Sequence, residues 1–237
     1  MKLSAPIYLL KRKARLLSRE ENIPLHVALD RIAVKEGFGG WSLLATKESA
    51  AAPAGKLFAR LTPGDLVLVG ARPGHGKTLI SLELAVEAMK SGNRSVFFTL
   101  EYTKNDVLDR FRTIGAELTH FDELFEFDNS DAISADYIIK SLGLAPRGTL
   151  VVVDYLQLLD QKRENPELMT QIRKLKSFAR DRELILVFIS QIDRSYDPLK
   201  KPCPDIGDVR LPNPLDLSLF NKTCFLNKGE IRFQAAS

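Results

Sequence analysis

Hydrophobic positions in this chain change their period twice. Before residue 47 they recur at helical spacing: one amphipathic stretch covers about residues 7–18. A second begins at Pro24, a residue suited to a first helical turn, and carries Leu25, Ala28, Leu29, Ile32 and Ala33. Gly37 stops it, and Phe38 and Trp41 flank a turn into a third short helix, where they are placed to pin a small bundle together. Residues 48–56, alanine-rich with Pro53 and Gly55, have no apolar period and read as a linker between a helical module at 1–47 and a larger domain at 57–237.

In the larger domain unbroken apolar runs alternate with helical stretches. Strands are predicted at 66–70, 95–100, 124–127, 149–154 and 184–190, and helices at 77–90, 104–114, 135–142 and 167–182. Runs that are continuously apolar, rather than alternating, belong to strands covered on both faces, so the pattern predicts an α/β fold with a mainly parallel central sheet and right-handed crossovers. After Gln191 the periodicity dissolves. Residues 193–216 hold five prolines and read as a long mobile loop, and 220–226 with 230–233 read as a closing hairpin that turns at Asn227-Lys228-Gly229.

Composition narrows the class without naming a chemistry. With 237 residues, 45% hydrophobic and 27% charged, the chain can bury a core without metal or disulfide support. Cys203 and Cys224 form no CxxC or Cys/His cluster, which argues against a zinc site and favours a reducing, cytoplasmic setting. The longest apolar runs fall far short of a bilayer span and no signal-peptide pattern opens the chain, so a soluble protein without a membrane partner is expected. The net charge of +4 is concentrated at the start, where residues 1–20 hold six basic side chains against Glu20. Such a segment attracts nucleic acid or an acidic partner, or is a solvated helix face. The short helical module itself fits either a DNA-reading helix-turn-helix or a packing and docking unit.

Specific chemistry enters at Ala71-Arg72-Pro73-Gly74-His75-Gly76-Lys77-Thr78, directly after a predicted strand and before a helix. This is a P-loop with Ala71 in place of the usual first glycine. Glycines let backbone N–H groups close around phosphate oxygens, Lys77 reaches the β and γ phosphates, and the Thr78 hydroxyl ligates Mg²⁺. Val151-Val152-Val153-Asp154 delivers a carboxylate to the C-terminal end of a strand, the edge where open parallel sheets bind ligands, so Asp154 is expected beside the P-loop on Mg²⁺. Glu101 follows the 95–100 strand and precedes a Thr103/Asp106 capping pattern. It can activate water for attack on a γ-phosphate or simply complement a helix dipole. Gln191 ends the last strand, where its amide can sense a γ-phosphate or serve only as a loop amide. His26, His75 and His120 are scattered and suggest no metal or acid–base cluster.

Taken together, ARPGHGKT (71–78), TLEY (99–102), DYLQLL (154–159) and SQIDR (190–194), in that order, resemble the RecA-like ATPases and, within them, the motor domain of DnaB-type replicative helicases. The resemblance covers about residues 57–195. It implies a RecA-like P-loop fold binding ATP and Mg²⁺, with Lys77 and Thr78 on phosphate and metal, Asp154 on metal, Glu101 as the catalytic carboxylate and Gln191 as a coupling residue. It also implies a homo-oligomeric ring or filament acting on single-stranded DNA through loops at 161–166 and 194–214, with Lys162, Arg163, Lys200 and Lys201 as phosphate contacts. Lys222, Lys228 and Arg232 are the residues available to reach a neighbour's γ-phosphate. A non-motor, KaiC-like regulatory ATPase or nucleotide-sensing assembly module is the alternative, and a small-molecule kinase fits less well because no Arg-rich lid is evident.

Overall fold

A computed structural model of the chain describes residues 3–5, 7–45, 53–116, 121, 123–160, 164–211, 213–227 and 230–235. They form two compact units, Met1–Lys56 and Leu57–Ser237.

In the first unit, helix α1 (Ile7–Glu20) lies against α2 (Leu25–Lys35), and residues 41–45 add a helical turn. Leu10 and Ala14 of α1, Ala28, Ile32 and Ala33 of α2, and Leu44 make one buried cluster, with Phe38 and Trp41 packed on its margin as the apolar pattern predicts. Polar contacts fix the connections: the Ser18 hydroxyl donates to the Ile23 carbonyl at 2.7 Å, and the Trp41 N–H donates to Asp30 Oδ1 at 2.8 Å. Within the predicted linker, Pro53–Phe58 forms a short helix, α3, whose opening proline suits a first helical position. Residues 46–52 lie outside the described residues.

The second unit is built on a seven-stranded sheet in the order β3-β2-β4-β5-β1-β6-β7. Its strands are β1 (Leu66–Ala71), β2 (Ser95–Thr99), β3 (Phe125–Asp128), β4 (Leu150–Asp154), β5 (Ile185–Gln191), β6 (Lys222–Asn227) and β7 (Glu230–Ala235). All neighbours pair parallel except β7, which returns antiparallel on β6. Helices α4 (Lys77–Lys90), α5 (Lys104–Thr113), α6 (Ala135–Ser141) and α7 (Leu168–Asp181) supply the crossovers. Every residue of β1, β2 and β4 is buried, which is the physical content of their unbroken apolar sequences: both faces are covered. Each such Val, Leu or Phe removed from water contributes roughly 1.5–3 kcal/mol, so the central strands carry most of the cohesion.

Two expectations are corrected here. Residues 193–216 are not a mobile loop: Tyr196, Cys203, Val209 and Leu215 are buried in the main core, Ile192 and Val209 form a β-bridge, and the Tyr196 hydroxyl donates to the Lys201 carbonyl at 2.7 Å. The prolines exclude a regular ladder, yet four apolar side chains at irregular intervals suffice to anchor the segment, a spacing that period-based reading does not detect. Lys222 does not reach toward a neighbouring subunit. Its ammonium is paired with the buried Asp65 carboxylate and donates to the Arg60 carbonyl at 2.5 Å, at the start of β6, the end of the strand remote from Ala71. Lys228 lies outside the described residues, and Arg232 is exposed on β7.

Close packing also dictates Gly70. A Cβ there would come within 2.8 Å of two ring carbons of Phe225 and 3.1 Å of Ile192 Cδ1. Phe225 is fully buried and has no room to retreat. Gly70→Ala is therefore expected to lower stability by about 1–3 kcal/mol, read as a reduced urea midpoint with unchanged m-value.

Candidate nucleotide-binding site

Register places the site. Ala71, the last residue of β1, sits opposite Gln191 of β5 and Leu226 of β6; one strand further over, Asp154 of β4 aligns with Ile189 of β5 and Thr99 of β2. The carboxyl ends of four adjacent strands thus deliver the P-loop, Asp154, Gln191 and the approach to Glu101 to one edge.

From Ala71 the chain turns through half-buried Arg72 and exposed Pro73, the His75 N–H donating to the Arg72 carbonyl at 3.1 Å. Gly74 and Gly76 have φ of +78° and +84°, values L side chains rarely adopt, and a Cβ on either would meet no atom within 4 Å. Open space therefore lies in front of both. Helix α4 starts at Lys77 with no side chain capping it, so its first N–H groups are left for an anion. Lys77 and Thr78, in that first turn, are buried.

Asp154 is fully buried. Its Oδ2 accepts a hydrogen bond from the Thr78 hydroxyl at 3.0 Å, whereas Oδ1 is buried without any partner. Burial pushes its pKa up to about 6; the Lys77 ammonium, the Thr78 hydroxyl and the Arg110 guanidinium pull it down, and Glu101 pushes it up. The group is mainly anionic at neutral pH. A buried carboxylate with one oxygen unserved is costly unless a cation or donor supplies the missing contact. Glu101 hangs just past β2, its N–H donating to Thr99 Oγ1 at 3.0 Å, and its Oε2 is 3.9 Å from Lys77 Nζ. The capping box read from the sequence is present: Thr103 Oγ1 accepts from Asp106 N–H at 3.3 Å, and Asp106 Oδ2 accepts from Thr103 N–H at 2.9 Å. Lys77, Thr78, Glu101 and Asp154 are thus drawn together, with Gln191 at the neighbouring strand end.

Three further residues join the site: Tyr102 and Gln157, which lie within the stretches TLEY and DYLQLL but are given no role there, and Arg110, which lies outside them. The Tyr102 hydroxyl is 3.5 Å from Thr78 Oγ1, and its ring carries the Arg110 guanidinium 4.3 Å from the ring centroid. Arg110, from the middle of α5, has a buried Nε with no hydrogen-bond partner. Gln157, on the 3₁₀ turn Leu156–Asp160 that follows Asp154, donates to the Arg210 carbonyl at 2.9 Å and to Ser190 Oγ at 3.4 Å. Arg210 N–H in turn donates to the Gln191 carbonyl at 2.8 Å. Only helix phase could have flagged Arg110, nine residues after Glu101 and aimed back at the sheet edge. Of the expected DNA contacts, Lys162 and Arg163 lie outside the described residues; Lys200 is exposed, and Lys201 is held between Asp205 and Asp208 at 2.6 Å from each.

These residues fit a nucleoside triphosphate with Mg²⁺. The loop offers backbone donors and open space, Lys77 a cation, Thr78 a hydroxyl ligand, and the orphaned Asp154 Oδ1 an anionic position for a hydrated metal. Sheet order, P-loop and strand-end carboxylates define a RecA-like P-loop ATPase fold. The family model for the KaiC ATPase matches residues 56–203, more than half of the chain, and the protein belongs to that family. Among curated proteins, the DnaB replicative DNA helicase of Mycoplasma genitalium is 25% identical over 183 residues, covering 62% of this chain and 39% of the helicase. That of Geobacillus stearothermophilus is 26% identical over 187 residues, covering 64% and 41%. The chain thus spans about two fifths of the length of these relatives. Among solved structures, the ATPase domain of G40P superposes with a TM-score of 0.59 at 20% identity over 79% of this chain and 82% of that one. A DnaB-like replicative helicase solved for its interactions with primase superposes at 0.60 and 20% identity, over 93% and 67%. The second unit has the architecture of a DnaB-type motor domain.

The site carries its own test. Thr78→Val keeps the shape of the side chain and removes the hydroxyl, so the Mg²⁺-dependent part of ATP affinity is expected to fall about tenfold or more while metal-free binding changes little. Titration calorimetry with and without Mg²⁺ separates the two.

Proposed function

We propose that the protein hydrolyses Mg-ATP and couples the reaction to single-stranded DNA, as a DnaB-like ATPase acting in a cytoplasmic homo-oligomer. The observation that carries this reading is the meeting of Lys77, Thr78, Asp154 and Glu101 at one sheet edge, with Glu101 Oε2 3.9 Å from Lys77 Nζ and Asp154 Oδ2 3.0 Å from Thr78 Oγ1. In this reading residues 71–78 wrap the phosphates: Ala71 and Arg72 bring the chain out of the sheet, Pro73 stiffens the turn, and Gly74, His75 and Gly76 present backbone N–H groups. Lys77 balances charge on the terminal phosphate. Thr78 and Asp154 hold Mg²⁺, which supplies charge neutralisation across the phosphate oxygens.

Glu101 is the residue for the attacking water. It is partly exposed, so solvent reaches it, and its carboxylate orients that water and receives its proton at an Oε atom as the water oxygen bonds to the γ-phosphorus and the bond from that phosphorus to the β–γ bridging oxygen breaks, ADP leaving with the electron pair. Arg110, cationic and braced on Tyr102, adds positive potential on the same side. Gln191 reports the presence of the terminal phosphate to the segment that follows it, through its backbone bond with Arg210.

A regulatory, non-motor ATPase is the second reading, favoured by one observation: Lys201, a residue otherwise available to DNA, is neutralised within its own segment by Asp205 and Asp208. The two readings diverge in a steady-state assay. Hydrolysis coupled to DNA requires that single-stranded DNA raise phosphate release in a salt-dependent manner, and that Glu101→Gln lower turnover at least a hundredfold with ATP affinity kept within a few fold. A rate indifferent to DNA, with nucleotide-dependent changes in solution mass, assigns the regulatory role instead.

A further inference from the structure

One cation at the nucleotide edge is held by a ring rather than by a carboxylate. Arg110 leaves α5 about 60° of helix phase from the buried Val107, so its half-buried side chain returns toward the sheet instead of running into solvent. Its guanidinium carbon lies 4.3 Å from the centroid of the Tyr102 ring, and its Nε is buried without a hydrogen-bond partner. Among the described residues no carboxylate forms an ion pair with it. A cation so withdrawn from water is costly unless an aromatic face or an incoming anion compensates it.

The natural counter-ion for Arg110 is Asp106, four residues earlier on the same face of α5. It is already engaged. Its Oδ2 accepts from the Thr103 hydroxyl at 2.6 Å and from the Thr103 N–H at 2.9 Å, and these bonds are what chiefly holds its carboxyl below the ordinary carboxylate range, Arg110 adding least. The capping box thus occupies the carboxylate that would otherwise draw the guanidinium back along its own helix. Tyr102 itself is fixed on both sides: the N–H of Glu101 donates to Thr99 Oγ1 at 3.0 Å, and Thr103 caps α5. A side chain between two pinned residues has its ring direction set by the backbone.

We propose that Tyr102 is a positioning residue for the bound triphosphate: its ring keeps the Arg110 guanidinium at the P-loop edge with its N–H donors free for phosphate oxygens. A cation lying over an aromatic face is stabilised without spending those donors, whereas a carboxylate partner would consume them. The ring carries this role and the hydroxyl does not. At 3.5 Å from Thr78 Oγ1 the hydroxyl is beyond the usual O–H···O range of about 2.5–3.0 Å, so it adds little to the hold on Thr78. The inference rests on the reading of residues 71–78 as a triphosphate site and is independent of whether the phosphate is then hydrolysed.

The test is a double-mutant cycle on Mg-ATP affinity, read by titration calorimetry on the full chain. Tyr102→Leu and Arg110→Ala are each expected to weaken binding about fivefold or more. The double variant should bind about as Arg110→Ala does, because a brace has nothing to hold once its guanidinium is gone. Tyr102→Phe keeps the ring and should bind within about twofold of the wild type. A tyrosine that merely fills space would add its loss to that of Arg110→Ala. Urea midpoints verify that the variants fold, and Tyr102→Ser replaces Tyr102→Leu if that variant does not. Additive losses, a Tyr102→Phe loss as large as that of Tyr102→Leu, or wild-type affinity in Tyr102→Leu overturns this inference alone. A wild type that fails to bind Mg-ATP overturns the triphosphate site together with it, while one that binds and releases no phosphate removes only hydrolysis and leaves the cycle to decide for Tyr102.

Discussion

The constraint on which the ATPase unit turns is a buried carboxylate with a missing partner. Asp154 ends a fully buried strand, has one oxygen bound to Thr78 and the other bound to nothing, and still ionises near pH 6 because Lys77 and the Thr78 hydroxyl offset the cost of burial. A strand end inside a well-packed sheet does not tolerate such a group for packing reasons, since an apolar residue would be cheaper there. The arrangement makes sense as one half of a cation site whose other half is the mouth of the P-loop, and the register of β1, β5 and β4 keeps both halves at one edge.

That edge is also mechanically joined to the segment after β5. Gln157 is three residues beyond Asp154 and holds the Arg210 carbonyl, while the Arg210 N–H holds the Gln191 carbonyl. The Asp193 N–H donates to the Asp208 carbonyl at 2.7 Å, so the returning chain is stitched to the strand end at two places. A displacement at Asp154 or Gln191 therefore has a short covalent and hydrogen-bonded path into residues 193–210, with no need for a contact through the core. The packed state of this segment matters here. A disordered loop would absorb such a displacement, whereas one anchored by Tyr196, Cys203 and Val209 moves as a body or not at all.

What could be read from the sequence follows from how local each signal is. The strands at 66–71, 95–99, 150–154 and 185–191 announce themselves because burial on both faces demands consecutive apolar residues, and the loop between β1 and α4 does so because only glycine accepts its φ angles. The capping box at Thr103 and Asp106 is legible for the same reason: four consecutive residues contain the whole interaction. Contacts spanning long separations were not. The pairing of Lys222 with Asp65 joins residues 157 apart, and neither carries a local mark that sets it apart from any other charged residue. Gln157 meets Arg210 across 53 residues, and Arg110 reaches the site only through the angle at which α5 leaves Tyr102. The anchoring of 193–216 failed to register because its apolar residues follow no period.

The cations that the ATPase unit places near its strand ends and in the segment after β5 are engaged locally. An ATPase site needs cations at a few fixed points, and here they are spent locally: Lys77 faces Glu101, Arg110 rests on Tyr102, Lys201 answers two aspartates and Lys222 answers Asp65. Such pairing leaves little long-range field, because neutralised groups cancel beyond roughly a Debye length of 8–10 Å.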